Sequence, residues 1–120
     1  MRRRASIPAV LILSLVVLGG CGKDLERQSD AELGLNAEQA QGRHVFQLYC
    51  GSCHSAYGSQ GKKGPSLKGL YKKQYLPSGL IANDQFVRQS ILRGRNMMPG
   101  FGNSLTQQQL DDLVAYLHTL

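Results

Sequence analysis

Three cysteines are too few for a disulfide framework in a chain of 120 residues, and their odd number leaves at least one thiol with another role. No apolar run reaches the roughly 20 residues that a membrane-crossing helix needs; the longest extends from Ile7 to Leu18. Nowhere do apolar and polar residues alternate as they do in a half-buried strand, and no segment repeats, so sheets, barrels and solenoids are poor fits. A four-ligand zinc site is also disfavoured, because there is neither a second CxxC nor a paired histidine cluster. The formal net charge is +6. The basic residues nevertheless lack the interleaved aromatic side chains that read nucleic acid.

What the sequence does contain is Cys50-Gly51-Ser52-Cys53-His54. Two thiols three positions apart on one helical turn can add across the two vinyl groups of a haem, and the adjacent imidazole can then ligate the iron. A thioredoxin-type dithiol would follow a buried strand, and no apolar β-run precedes Cys50. A plain Cys50–Cys53 disulfide suits an exported protein but leaves His54 without a purpose.

The N-terminus reads as an export signal. Arg2, Arg3 and Arg4 form its positive region and Ile7 to Leu18 its apolar core. Leu18-Gly19-Gly20-Cys21 resembles a bacterial lipobox, which implies cleavage before Cys21 and acylation of that residue. Each buried CH₂ is worth about 0.8 kcal/mol, so several acyl chains would hold a small protein on a membrane. Cysteine arithmetic agrees, since Cys50 and Cys53 are taken by the haem and Cys21 remains. Removing residues 1–20 takes the three arginines with it and lowers the formal net charge from +6 to +3. Residues 21–36 then read as the lipidated cysteine and a polar tether, and 37–120 as one folded domain. A core this small usually needs a staple, which a covalent haem would supply.

The folded part reads as all-α. Asn36 and Gln39 form a capping box for a first helix, with Gly42, Phe46 and Tyr49 along one stripe leading into Cys50. Thr106 and Gln109 cap a last helix, where Leu110, Leu113, Val114 and Leu117 make the apolar face and Leu105 pairs with Leu110 as a staple. Asn83 or Asp84 can open a helix through Phe86, Val87 and Ile91 that Gly94 ends. The stretch from Gly58 to Gly69, rich in glycine and lysine, reads as loop.

In this order, Gly42 and Phe46 ahead of the CxxCH, the run Gly64 to Tyr71, Met98-Pro99, and Leu113 with Tyr116 resemble the small bacterial class I monohaem cytochromes c. That resemblance covers residues 37–120. It implies three to four helices wrapped around one covalent haem c, with the first and last helices crossing closely at Gly42, Phe46, Leu113 and Tyr116. It implies that the Pro65 carbonyl accepts a hydrogen bond from His54, and that Met98 is the second axial ligand. Many relatives carry Gly-Arg after the position of Tyr71, where this chain has Lys72 and Lys73, so a propionate contact there does not carry over.

Met97 is the nearest alternative ligand, one residue away in a loop without helical constraint. His44 lies on the same helix as Cys50, and His118 lies near the chain end; both read as surface histidines. Lys62, Lys63, Lys68, Lys72 and Lys73 cluster around the expected haem edge, where they would steer acidic redox partners. The combined expectation is a lipid-anchored electron carrier on the periplasmic side of a bacterial membrane, not an enzyme. One alternative is a haem subunit of a larger dehydrogenase or oxidase. Another is a ligand sensor or weak peroxidase with an open sixth position.

Overall fold

Residues 24–120 are described by the computed structural model, so the expected signal segment and Cys21 lie outside them. Three helices form: α1 (Ala37–Tyr49), α2 (Asp84–Arg93) and α3 (Gln107–Leu117). Short 3₁₀ turns occupy Leu25–Arg27 and Leu70–Lys72. Among the described residues there is no strand, only the isolated bridges Tyr75–Ile81 and Arg95–Met98.

The local chemistry accounts for each helix boundary. Asn36 Oδ1 accepts from the Gln39 amide at 2.8 Å while the Gln39 side chain accepts from the Asn36 amide at 3.0 Å, and Thr106 and Gln109 repeat the arrangement on α3. Asn83, rather than Asp84, caps α2 by accepting from the Phe86 amide at 2.9 Å. Gly94 ends α2 at φ 70°, a conformation that costs glycine little.

The α1–α3 crossing holds the molecule together. Gly42 packs on the α3 backbone so tightly that a Cβ there would collide with the Asp112 carbonyl and lie 2.8 Å from Tyr116 Cβ. This approach brings the Phe46 and Tyr116 rings to 5.6 Å at 58°, and it leaves Leu113 with no exposed surface. Tyr116 Oη donates to Tyr57 Oη at 3.1 Å, tying α3 to the chain just after His54. α2 joins α3 through Arg88–Asp111 at 2.5 Å, and His118, just past the end of α3, pairs with Asp84 at 2.8 Å. His118 also stacks on Tyr71 with centroids 3.8 Å apart, so it is not the purely solvated histidine that its position suggests.

Residues 24–36 do not form a free tether. Arg43, only 7% exposed, donates to Asp30 Oδ1 at 2.7 Å and to the Glu26 carbonyl at 3.2 Å. Glu26 Oε1 accepts from Ser55 Oγ, Ala56 N and Tyr57 N at 3.2–3.3 Å. Composition marked this stretch as polar and alternating, which suggests solvation. Glu26 and Asp30 instead find partners in the domain. Among the described residues no helix is long and apolar enough to cross a membrane.

Candidate functional site

The site begins where α1 runs out. Cys50 N and Gly51 N both donate to the Phe46 carbonyl at 2.8 Å, and Cys53 N and His54 N both donate to the Cys50 carbonyl at 3.0 and 2.9 Å. The helical winding therefore continues through the motif, so both thiols and the imidazole issue from one turn. Neither thiol is in a disulfide. Cys50 is buried, and burial first, then the neighbouring Cys53, pushes its thiol up to about 11.

A loop braces His54 from behind. Gly64 N donates to the Cys53 carbonyl at 2.8 Å, and Leu67 N to the Ser55 carbonyl at 2.9 Å. His54 Nδ1 lies 2.7 Å from the Pro65 carbonyl. A carbonyl only accepts, so Nδ1 is the donor here and Nε2 is the ring nitrogen left to face a metal. A Cβ on Gly64 would stand 2.5 Å from His54 Cε1 and 2.9 Å from Nδ1; only a glycine fits behind the ring.

The loop after α2 holds the two methionines in different environments. Phe101 N and Gly102 N donate back to the carbonyls of Ile91 and Leu92 at 2.9 and 3.1 Å, and Arg95 and Met98 exchange backbone hydrogen bonds at 3.0 and 2.9 Å. A Cβ on Gly94 would collide with the Met98 carbonyl and lie 2.6 Å from Gly100 N. Met98 packs against the core, whereas Met97 is 93% exposed. His44 is exposed on α1.

The five lysines reach different surroundings. Lys62 Nζ donates to the Gly51 carbonyl at 2.8 Å, directly at the CxxCH turn. Lys68 Nζ lies 3.4 Å from Ser59 Oγ and Lys72 Nζ 3.1 Å from the Leu120 carbonyl, and both border a groove formed with Leu25, Leu33 and Leu35. Lys63 and Lys73 are exposed.

Reading from sequence missed Glu26, Asp30 and Arg43. One signal was available for Arg43, which stands three residues before Phe46 and so shares its buried stripe. The donor set fits a covalently held haem: two unpaired thiols on one turn, an imidazole with Nε2 free in a cradle that only glycine permits, and a thioether in a pinned loop.

The family described as cytochrome c oxidase, cbb3-type, subunit III matches residues 37–117. Cytochrome c6 of Thermosynechococcus vestitus is 32% identical over 83 residues, covering 69% of this chain and 70% of that protein. Cytochrome c6 of Synechococcus elongatus is 32% identical over 68% of this chain and 88% of its own length. The cytochrome bc1 complex cytochrome c subunit of Corynebacterium diphtheriae is 33% identical over 82 residues, which is 68% of this chain but 27% of that protein. Among solved structures, cytochrome c6 from the diatom Phaeodactylum tricornutum superposes with a TM-score of 0.52 at 26% identity, over 66% of this chain and 88% of that one.

Proposed function

Because the chain belongs to the cytochrome c family, as a small monohaem class I member with covalently attached haem c, we propose that it is a membrane-anchored electron carrier with His54 and Met98 as axial ligands. Haem c supplies a one-electron ferric/ferrous couple when bound, and the rest of the function falls to the protein's own residues. Cys50 and Cys53 hold the group, while Pro65 and Gly64 fix the plane of the His54 ring.

The observation that carries the reading is the contrast between the methionines: Met98 is packed inward and Met97 is 93% exposed. A thioether closing the sixth position makes a carrier, and an open position makes a ligand-binding site. Lys62, beside the CxxCH turn, and Lys63 remain the best candidates for steering an acidic partner. Cys21 would carry the anchor and place the domain on the exported side of a bacterial membrane. Absorption spectra of the ferric and ferrous protein test the carrier reading. A low-spin ferric spectrum with a weak far-red sulfur-to-iron band and no carbon monoxide complex on reduction is expected. Rapid carbon monoxide binding by the wild-type ferrous protein would instead make it a sensor or peroxidase.

A second reading is favoured by the family description and by the bc1-complex relative: a haem subunit of a larger respiratory assembly. Purification from native membranes in mild detergent separates the two. A stoichiometric large partner supports the subunit, and migration alone supports the free carrier.

A further inference from the structure

The packing of residues 24–36 changes what an anchor at Cys21 would do. Only Gly22 and Lys23 separate Cys21 from Asp24, so an acyl group on Cys21 would be joined to the folded unit by no more than about 11 Å of chain. The neighbouring surface is a groove of about 400 Å³ bordered by Leu25, Leu33, Leu35 and Leu120, with Lys68 and Lys72 on its rim. Leu25 is 39% exposed here and Leu33 and Leu35 are half-buried, so apolar side chains stand at the surface between the two lysines. The acidic groups of this stretch are already engaged: Asp24 with Arg27 at 3.1 Å, Asp30 with Arg43, Glu26 with the amides after His54, and Glu32 with Ser29. Neither rim lysine has a side-chain carboxylate as its partner.

We propose that this groove is the face with which the domain rests on the phospholipid surface that holds its Cys21 acyl chains. The leucines enter the boundary between headgroups and acyl chains, and Lys68 and Lys72 meet lipid phosphates while their stems lie along the apolar walls. The domain is thereby held in one orientation, and its search for redox partners becomes a rotation and diffusion in the plane of the membrane. This rests on the anchored-carrier reading. It also separates Lys68 and Lys72 from the lysines that face partners.

The test uses the full lipidated holoprotein in vesicles of phosphatidylethanolamine and phosphatidylglycerol, a fraction of the lipid carrying a photoactivatable diazirine on its acyl chain. Adducts are mapped by mass spectrometry, alongside the mass of the N-terminal peptide. Seating on the groove predicts adducts concentrated in residues 24–36 and 117–120, and few in the Gly94 to Gly102 loop. Leu33→Glu should lower that labelling several-fold with an unchanged haem spectrum, and Lys68→Glu, which reverses a rim charge and leaves the leucines in place, should lower it in the same direction. Acylated Cys21 with adducts spread evenly over the domain, or labelling indifferent to both substitutions, overturns the seating and leaves the anchor intact. A Cys21 peptide without acyl mass overturns the anchor, and the seating with it.

Discussion

His54 and Gly64 fit together as ring and backstop: the imidazole occupies the space that a Cβ on residue 64 would need, while the next carbonyl, from Pro65, accepts a hydrogen bond from Nδ1 at 2.7 Å. Gly64→Ala should therefore act on the His54 ring rather than on haem attachment. The thioether bonds should form normally, the ferric spectrum should gain a high-spin fraction, and stability should fall by about 1–3 kcal/mol, as for other overpacked sites. Absorption spectra and guanidinium unfolding check both. Pro65→Ala keeps the carbonyl and should change the spectrum far less.

Met98→Ala should abolish the far-red sulfur-to-iron band, lower the reduction potential and open the ferrous protein to carbon monoxide. Met97→Ala should leave all three unchanged, since that side chain is almost fully in solvent. If the effects appear in Met97→Ala instead, the ligand is one residue earlier and the carrier reading survives. If neither substitution matters, the sixth ligand is not methionine.

Gly42→Ala should be the most damaging single methyl addition in the helices. The new Cβ meets backbone, the Asp112 carbonyl, and backbone cannot swing aside as a side chain can. Destabilisation of about 3 kcal/mol or more is expected, at the upper end for overpacking, read as a lowered guanidinium midpoint of the haem absorbance. Gly34→Ala is a useful contrast: nothing lies within 4 Å of its Cβ, so the cost comes only from its φ of 69°.

Much of this was legible because the signals were local. Capping boxes at Asn36 and Thr106, the stripe through Gly42 and Phe46, and the Gly94 terminus are each written within a few residues, and the helices formed where they pointed. The CxxCH turn is equally local. What sequence did not show depends on distant partners. Glu26 and Ser55 are 29 positions apart and Arg43 and Asp30 are 13 apart, so an alternation of charges gave no hint that those charges were paired. The lysines, adjacent in sequence, were separated by the course of their loop.

His118 and Asp84 set a small acid-dependent term. Burial raises the Asp84 carboxyl, but the hydrogen bond from His118 and contact with Tyr71 outweigh it, so the folded value lies below the ordinary 3.8. A depressed carboxylate stabilises the fold above its unfolded pKa, and that contribution is lost as pH falls through the folded value. Both side chains are about half exposed, which limits the effect to about 0.5 kcal/mol. Asp84→Asn should lower stability slightly at neutral pH and flatten the acid limb below about pH 4, where the carboxylate protonates. Denaturant unfolding across that range measures it.

Glu26 gives the clearest test that residues 24–36 belong to the fold. One carboxylate oxygen serves Ser55 Oγ and the amides of Ala56 and Tyr57, and Ala56 is buried to 1% exposure directly after the CxxCH turn. Glu26→Ala leaves a buried amide without a partner, at a cost of about 1–3 kcal/mol. Glu26→Gln retains an oxygen acceptor without the charge and should cost roughly half as much, since hydrogen bonds to ionised groups are about twice as strong. Limited proteolysis separates this clamp from a passive tether. With Glu26→Ala, cleavage within residues 24–36 should accelerate while the haem domain stays intact. Equal cleavage rates in wild type and variant would mean that the stretch is no clamp at all.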